Sequence, residues 1–183
     1  MPIVENKFKN YVANNNTEIL ILGTFSHNVV DGADFFYGKT RSFLWHLLPV
    51  SFGLNSLKEA SLNEKKSFME KHKIDFADII NAIDVPEGEE NNLDDSFIDN
   101  HVSEWNNLAA IIETLPKLKA VYFTRKTFNG IHQSKQQIMQ IAAFCNAKNL
   151  RFCKLETPAK YYDETKQKQW IDTIVKQTTC MKA

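Results

Sequence analysis

The apolar positions of this 183-residue chain change period several times. Val4, Phe8, Tyr11 and Val12 recur at helical spacing, and Asn14–Asn16 end that segment. Glu18-Ile-Leu-Ile-Leu-Gly23 is a short apolar run closed by glycine, the pattern of a strand buried on both faces. A polar and aromatic loop then runs from Thr24 to Arg41. Phe43, Leu44, Leu47 and Leu48 predict a helix punctuated by Pro49 and Gly53, and Ser61–His72 predicts an exposed, charge-rich helix. Asp75–Ile80 reads as a second strand, and the acidic stretch Glu87–Asp95 as a solvated loop. Trp105, Leu108, Ile111, Ile112 and Leu115 trace an amphipathic helix stopped by Pro116. Leu118–Phe123 is a third strand, Thr127–Ala147 a long helix, Leu150–Leu155 a fourth strand, and Asp163–Lys176 a terminal helix.

Strands alternating with helices imply a parallel sheet covered on both faces. The expected architecture is a three-layer α/β sandwich. No linker, repeat or low-complexity stretch divides it, so residues 1–183 are read as one domain. In such sheets ligands bind beyond the carboxyl ends of the strands. Three segments stand there: Thr24–Arg41, Thr124–Lys126 and Glu156–Tyr162.

Composition narrows the function classes. Lysine and arginine number 22, aspartate and glutamate 22, and the formal net charge is zero. That argues against a protein that coats polyanions by bulk electrostatics, though a compact basic patch on a neutral body stays open. Cys145, Cys153 and Cys180 lack C-x-x-C spacing and are too few for a four-cysteine zinc or iron–sulfur site. Their plain reading is reduced thiols in a cytoplasmic protein. Met1–Asn10 has no apolar signal core, and no apolar run approaches the roughly 20 residues that cross a bilayer.

The candidate chemistry lies in the loops. Gly23 permits a tight turn that exposes backbone N–H groups to a ligand. Phe35, Phe36 and Tyr37 can form an aromatic wall that stacks a flat ring, or plug the core and anchor the loop. His27 is a lone loop histidine. Thr157-Pro158-Ala159-Lys160 stands between a strand and a helix, where backbone N–H groups can meet phosphate or simply cap a turn.

Ile19-Leu-Ile-Leu-Gly-Thr-Phe-Ser26, followed by Phe35-Phe-Tyr-Gly-Lys-Thr-Arg-Ser-Phe-Leu-Trp45, resembles the uracil-DNA glycosylase superfamily, nearest its deoxyinosine (hypoxanthine)-DNA glycosylase branch. The likeness continues through Asp78-Ile-Ile, Asn92-Leu-Asp-Asp-Ser, Asn106-Asn-Leu-Ala-Ala, Lys119-Ala-Val-Tyr-Phe and Thr157-Pro-Ala-Lys160. It implies a four-stranded parallel sheet ordered 2-1-3-4. It also implies a monofunctional, metal- and cofactor-independent glycosylase of base excision repair. Such an enzyme flips hypoxanthine or uracil out of duplex or single-stranded DNA and hydrolyses the N-glycosidic bond. A monomer with no membrane attachment is the expected form. By that resemblance Gly23, Phe25, Phe36, Tyr37 and Gly38 line the base pocket, and Asn106, Thr24, Ser26 and His27 are the catalytic candidates. Arg41, Arg125, Thr157, Pro158, Lys160 and Tyr161 face DNA, with Tyr161 or Tyr162 available to wedge into the emptied stack. The chain also departs from the pattern. Ser26 replaces a proline, Lys39-Thr40-Arg41-Ser42 replaces H-P-R-N, and Thr124-Arg125 stands where relatives often carry Asn-Gly. Phe25 stands where several relatives carry a water-activating Asp or Asn, a task open to Asn28, Asp31, Asp34 or His27. These departures leave two other readings open: an inactive member that binds nucleic acid or a protein, and a hydrolase of small nucleosides.

Overall fold

The computed structural model describes residues 1–27 and 35–177. In chain order the elements are β1 (Ile3–Glu5), β2 (Ile19–Gly23), α1 (Leu44–Ser51), α2 (Leu62–His72), β3 (Ile74–Asp78) and β4 (Ile80–Asp84). There follow α3 (Asp95–Asn100), β5 (Val102–Trp105), α4 (Leu108–Glu113), β6 (Ala120–Phe123), α5 (His132–Ala147), β7 (Arg151–Lys154) and α6 (Glu164–Trp170). The last helix runs on into a π-helical turn, Ile171–Val175.

Strands β3-β2-β6-β7 form a parallel sheet in that order, which is the expected 2-1-3-4 arrangement. Alternation along β2 explains its unbroken apolar sequence. Leu20 and Leu22 join a core with Val121, Phe123 and the inner sides of α4 and α5. Ile21 faces the other way, into a core with Phe76, Tyr122, α1, α2 and α6. Both faces are thus covered by helices, giving three layers.

Beside that sheet lies an antiparallel one, β1-β4-β5, that the hydrophobic pattern did not reveal. The helical spacing of Val4, Phe8 and Tyr11 is coincidental, because β1 is a three-residue strand whose partner, β4, lies far along the chain. The second predicted strand is really two, β3 and β4, separated by Ile79 as the chain passes from one sheet to the other. Trp105 belongs to β5, so α4 is shorter than its apolar spacing suggests, and α5 begins at His132 rather than Thr127.

Local chemistry sets several boundaries. Ser61 and Glu64 exchange backbone and side-chain hydrogen bonds in a capping box that starts α2. Pro49 does not end α1; it removes one donor, and the Trp45 carbonyl accepts from Leu57 N at 2.7 Å. Cys145 is buried and free, but Cys153 is disulfide-bonded, so the expectation of reduced thiols does not hold at Cys153. Among the described residues, no helix is long and apolar enough to cross a membrane.

Phe36 is one of the largest fully buried side chains, 1% exposed. Its ring stacks on Phe8 at 4.1 Å and on Phe76 at 5.6 Å. Phe36→Ala is expected to lower unfolding free energy by about 3–5 kcal/mol, the usual loss for emptying a packed aromatic site. Tyr161→Ala, at a 59%-exposed position, should change it by no more than about 0.5 kcal/mol. Urea denaturation of both variants checks the contrast; a small effect at Phe36 contradicts its placement in the core.

Candidate functional site

The carboxyl ends of β2, β3 and β6 meet at Gly23, Asp78 and Thr124. The sheet register makes Gly23 and Asp78 direct neighbours. Beyond them the chain stays tied: Ile79 N donates to Gly23 O at 3.0 Å and Ile80 N to Thr24 O at 3.1 Å. A Cβ on Gly23 would lie 2.3 Å from Asp78 Oδ1 and 2.7 Å from Tyr37 Oη, so only glycine fits between them.

Asp78 is 6% exposed. Asn6 Nδ2 donates to its Oδ2 at 2.9 Å and also to Ile80 O. Ser26 donates from both its backbone N–H and its hydroxyl. Burial raises the Asp78 pKa above the ordinary carboxylate value, and the bonds from Ser26 and Asn6 oppose that rise by favouring the ionised form. The Asn6 carbonyl oxygen accepts from Phe8 N at 2.8 Å, so the same amide also positions Phe8.

Tyr37 has a left-handed backbone, φ 55°, unusual outside glycine. This turn sends its phenol away from the buried rings of Phe35 and Phe36 and toward β6. Its hydroxyl lies 2.9 Å from Thr124 Oγ1, which donates its own proton to Leu22 O at 3.0 Å. Burial pushes the Tyr37 pKa well up, and the nearby Asp78 charge adds to that rise.

Over this floor opens a cavity of about 290 Å³, near the lower end of the range for small-molecule sites. Phe8, Phe25 and Phe35 supply aromatic surface, and Lys7, Lys39, Arg41 and Arg125 supply positive charge. Arg125 pairs with Asp95 at 2.7 Å, also on the lining. His27 lines the cavity and is 5% exposed. Its Nε2 bonds the Glu90 carbonyl, so Nε2 carries the proton, and the buried Nδ1 has no partner among the described residues. Two buried tryptophans hold the loops that build the rim: Trp45 Nε1 donates to Phe36 O at 2.8 Å, and Trp170 Nε1 to Glu156 O at 3.0 Å. The first and last loops then meet, Phe43 N donating to Pro158 O at 2.7 Å beside a Ser42–Ala159 bridge.

The cavity therefore brings together eleven sequence candidates: Gly23, Thr24, Phe25, Ser26, His27, Tyr37, Gly38, Arg41, Arg125, Thr157 and Pro158. Four lie elsewhere. Phe36 is in the core, and Phe35 takes the place on the lining foreseen for it. Asn106 donates from Nδ2 to the Asp78 backbone carbonyl at 2.9 Å and lines a second cavity, which shares Phe8 and Asp78 with the first. Lys160, at φ 75°, turns the chain outside the lining. Tyr161 is exposed, with Lys166 Nζ 4.1 Å from its ring centroid. Asn28, Asp31 and Asp34 lie outside the described residues. Sequence reasoning gave no role to Asp78, Thr124 or Phe8. The first two could have been found, because each ends a parallel strand adjoining Gly23. Phe8 could not, since an antiparallel pairing brings it there. Among the described residues, no group of three His, Cys, Asp or Glu side chains is placed to hold a metal ion.

No protein-family model and no curated protein matches the chain. Among solved structures it is similar to the solution NMR structure of a "putative Uracil DNA glycosylase" from Methanosarcina acetivorans. The TM-score is 0.60 at 17% identity, over 93% of this chain and 92% of that one. The two share the three-layer α/β fold with its four-stranded parallel sheet.

The packing at Gly23 is directly testable. Gly23→Ala must displace the Asp78 carboxylate and the Tyr37 hydroxyl, and is expected to cost about 1–3 kcal/mol as an overpacked site. Urea denaturation measures the cost; an unchanged midpoint contradicts the close approach.

Proposed function

We propose that the protein is a DNA glycosylase that hydrolyses the N-glycosidic bond of a base flipped into the cavity above Gly23. One observation carries the reading: an aromatic-walled cavity at the carboxyl ends of β2, β3 and β6 is rimmed by lysine and arginine, in a fold shared with a protein described as a "putative Uracil DNA glycosylase". Hypoxanthine and uracil are the substrates that the sequence resemblance implies.

Each part of the cavity has a task in that reaction. Phe8, Phe25 and Phe35 stack the base, replacing the stacking lost on extrusion. Lys39, Arg41 and the Thr157–Ala159 turn hold backbone phosphates on either side of the flipped nucleotide. The C1′–N bond breaks with its electron pair moving to the base, and the sugar acquires oxocarbenium character. Water adds to C1′ and must lose a proton. The Glu90 carbonyl fixes the His27 tautomer, and Nδ1, buried and unpaired among the described residues, is the acceptor we assign as general base for a water enclosed beside it. This group takes over the work of the carboxylate that Phe25 replaces. Asn106 is a positioning residue, bracing the end of β3 from behind. The enzyme works as a monomer.

Hydrolysis of a free nucleoside is the second reading, and one observation favours it. Both cations that follow β6 are already neutralised, Arg125 by Asp95 at 2.7 Å and Lys126 by Glu156 at 2.8 Å. Duplexes with a single uracil or deoxyinosine, followed by alkaline cleavage, separate the two when free deoxynucleosides are assayed beside them. The expected result is abasic product from a duplex and none from nucleosides, with His27→Ala slowing the reaction about 100-fold or more. Hydrolysis of nucleosides alone establishes the second reading; no hydrolysis of either contradicts both.

A further inference from the structure

The chemistry of the cavity floor points to a substrate class beyond hypoxanthine and uracil. Thr124 has one hydroxyl proton, and it goes to the Leu22 carbonyl, which cannot donate in return. The Tyr37–Thr124 bond must therefore use the Tyr37 proton. Tyr37 Oη is left with lone pairs only. Beside it, Asp78 is acceptor-only when ionised. Both residues line the cavity, and their oxygens lie close together beside Gly23, as the 2.3 Å and 2.7 Å approaches to a Cβ there indicate. The floor thus offers hydrogen-bond acceptors, and negative charge when Asp78 is ionised, the form that the Asn6 and Ser26 donors favour.

Among the described residues, no lysine, arginine or histidine forms an ion pair with Asp78. Its partners are the neutral Asn6 and Ser26. A buried carboxylate without a cation carries a desolvation cost that a positively charged ligand offsets. Phe8, Phe25 and Phe35 line the same cavity, and aromatic rings in the lining also favour a cation. A departing uracil would instead carry negative charge toward Asp78.

Resting on the glycosylase reading, we infer that this pocket excises cationic N-alkylated purines, with the Asp78 carboxylate and Tyr37 Oη taking the positive, donor-bearing edge of the base. The bond change balances simply. The C1′–N9 bond breaks, its electron pair neutralises the charged ring, water gives its oxygen to C1′, and the surplus proton passes to His27 Nδ1. The base leaves neutral, so the acceptor-lined floor does not oppose its departure.

Single-turnover excision from duplexes carrying one 7-methylguanine, one deoxyinosine or one uracil tests the inference, with spontaneous depurination subtracted. The 7-methylguanine rate is expected to exceed the other two by about tenfold or more, a transition-state difference of about 1.4 kcal/mol. Asp78→Asn should then reduce the 7-methylguanine rate at least about tenfold more than the deoxyinosine rate. Should that variant not fold, Tyr37→Phe removes the second acceptor and is expected to show the same selective loss. Excision of deoxyinosine or uracil at an equal or higher rate overturns the inference and leaves the glycosylase reading standing. Equal loss on every substrate in the variant overturns it as well, making Asp78 a positioning residue. No excision of any base overturns both.

Discussion

The arrangement of the site depends on one buried carboxylate. Asp78 closes β3 beside Gly23, and its oxygens collect donors from Asn6 in the N-terminal segment and Ser26 in the loop after β2. A carboxylate out of water is tolerable only while such donors are held in place. The N-terminal segment, the first sheet and the first loop are therefore fixed relative to one another by a single group. Two consequences follow at once. Gly23 can carry no side chain, and Phe8, positioned through the Asn6 amide, is brought from the edge of one sheet to the ligand side of the other.

The rest of the cavity is built by indirect support. Trp45 and Trp170 are buried in the core beneath the sheet, yet each uses its indole N–H to hold a loop carbonyl at the rim. The Phe43–Pro158 hydrogen bond then joins the first loop to the last. Packing energy in the body is in this way converted into geometry at the mouth. Zero net charge fits the same picture. Lys39 and Arg41 line the mouth, whereas Arg125 and Lys126 are paired with acids, so positive potential is confined to a short track. On the proposed function, DNA binding to such a track is expected to be local and salt-sensitive.

Legibility in the sequence followed the range of the interactions. Ile19–Gly23 could be read as a doubly buried strand because every residue in it obeys the same local rule. The α2 boundary was likewise local, written in Ser61 and Glu64. The antiparallel sheet was not legible, because β1 and β5 are strands only by virtue of pairing with β4. At Phe35-Phe36-Tyr37, composition announced a wall but could not say which ring turned inward. The left-handed backbone at Tyr37 decides that, sending Phe36 into the core and the phenol to Thr124. Asp78 stood in a recognisable segment, yet its role emerged only when strand order set it against Gly23. The neighbouring strand supplies the buried carboxylate of this site, with the task proposed above.

The central claim is that a flipped base sits above Gly23, between the aromatic walls and the Asp78–Tyr37 floor. Backbone amide shifts of the ¹⁵N-labelled protein, followed as a duplex with one non-cleavable 2′-fluorinated deoxyinosine is added, test it most directly. The account predicts that the largest shifts fall on Gly23–His27, Tyr37–Arg41 and Thr124–Arg125, with weaker ones at Thr157–Ala159, and that an undamaged duplex moves only the rim. Shifts confined to other surfaces, or the same pattern with and without the modified base, would contradict it.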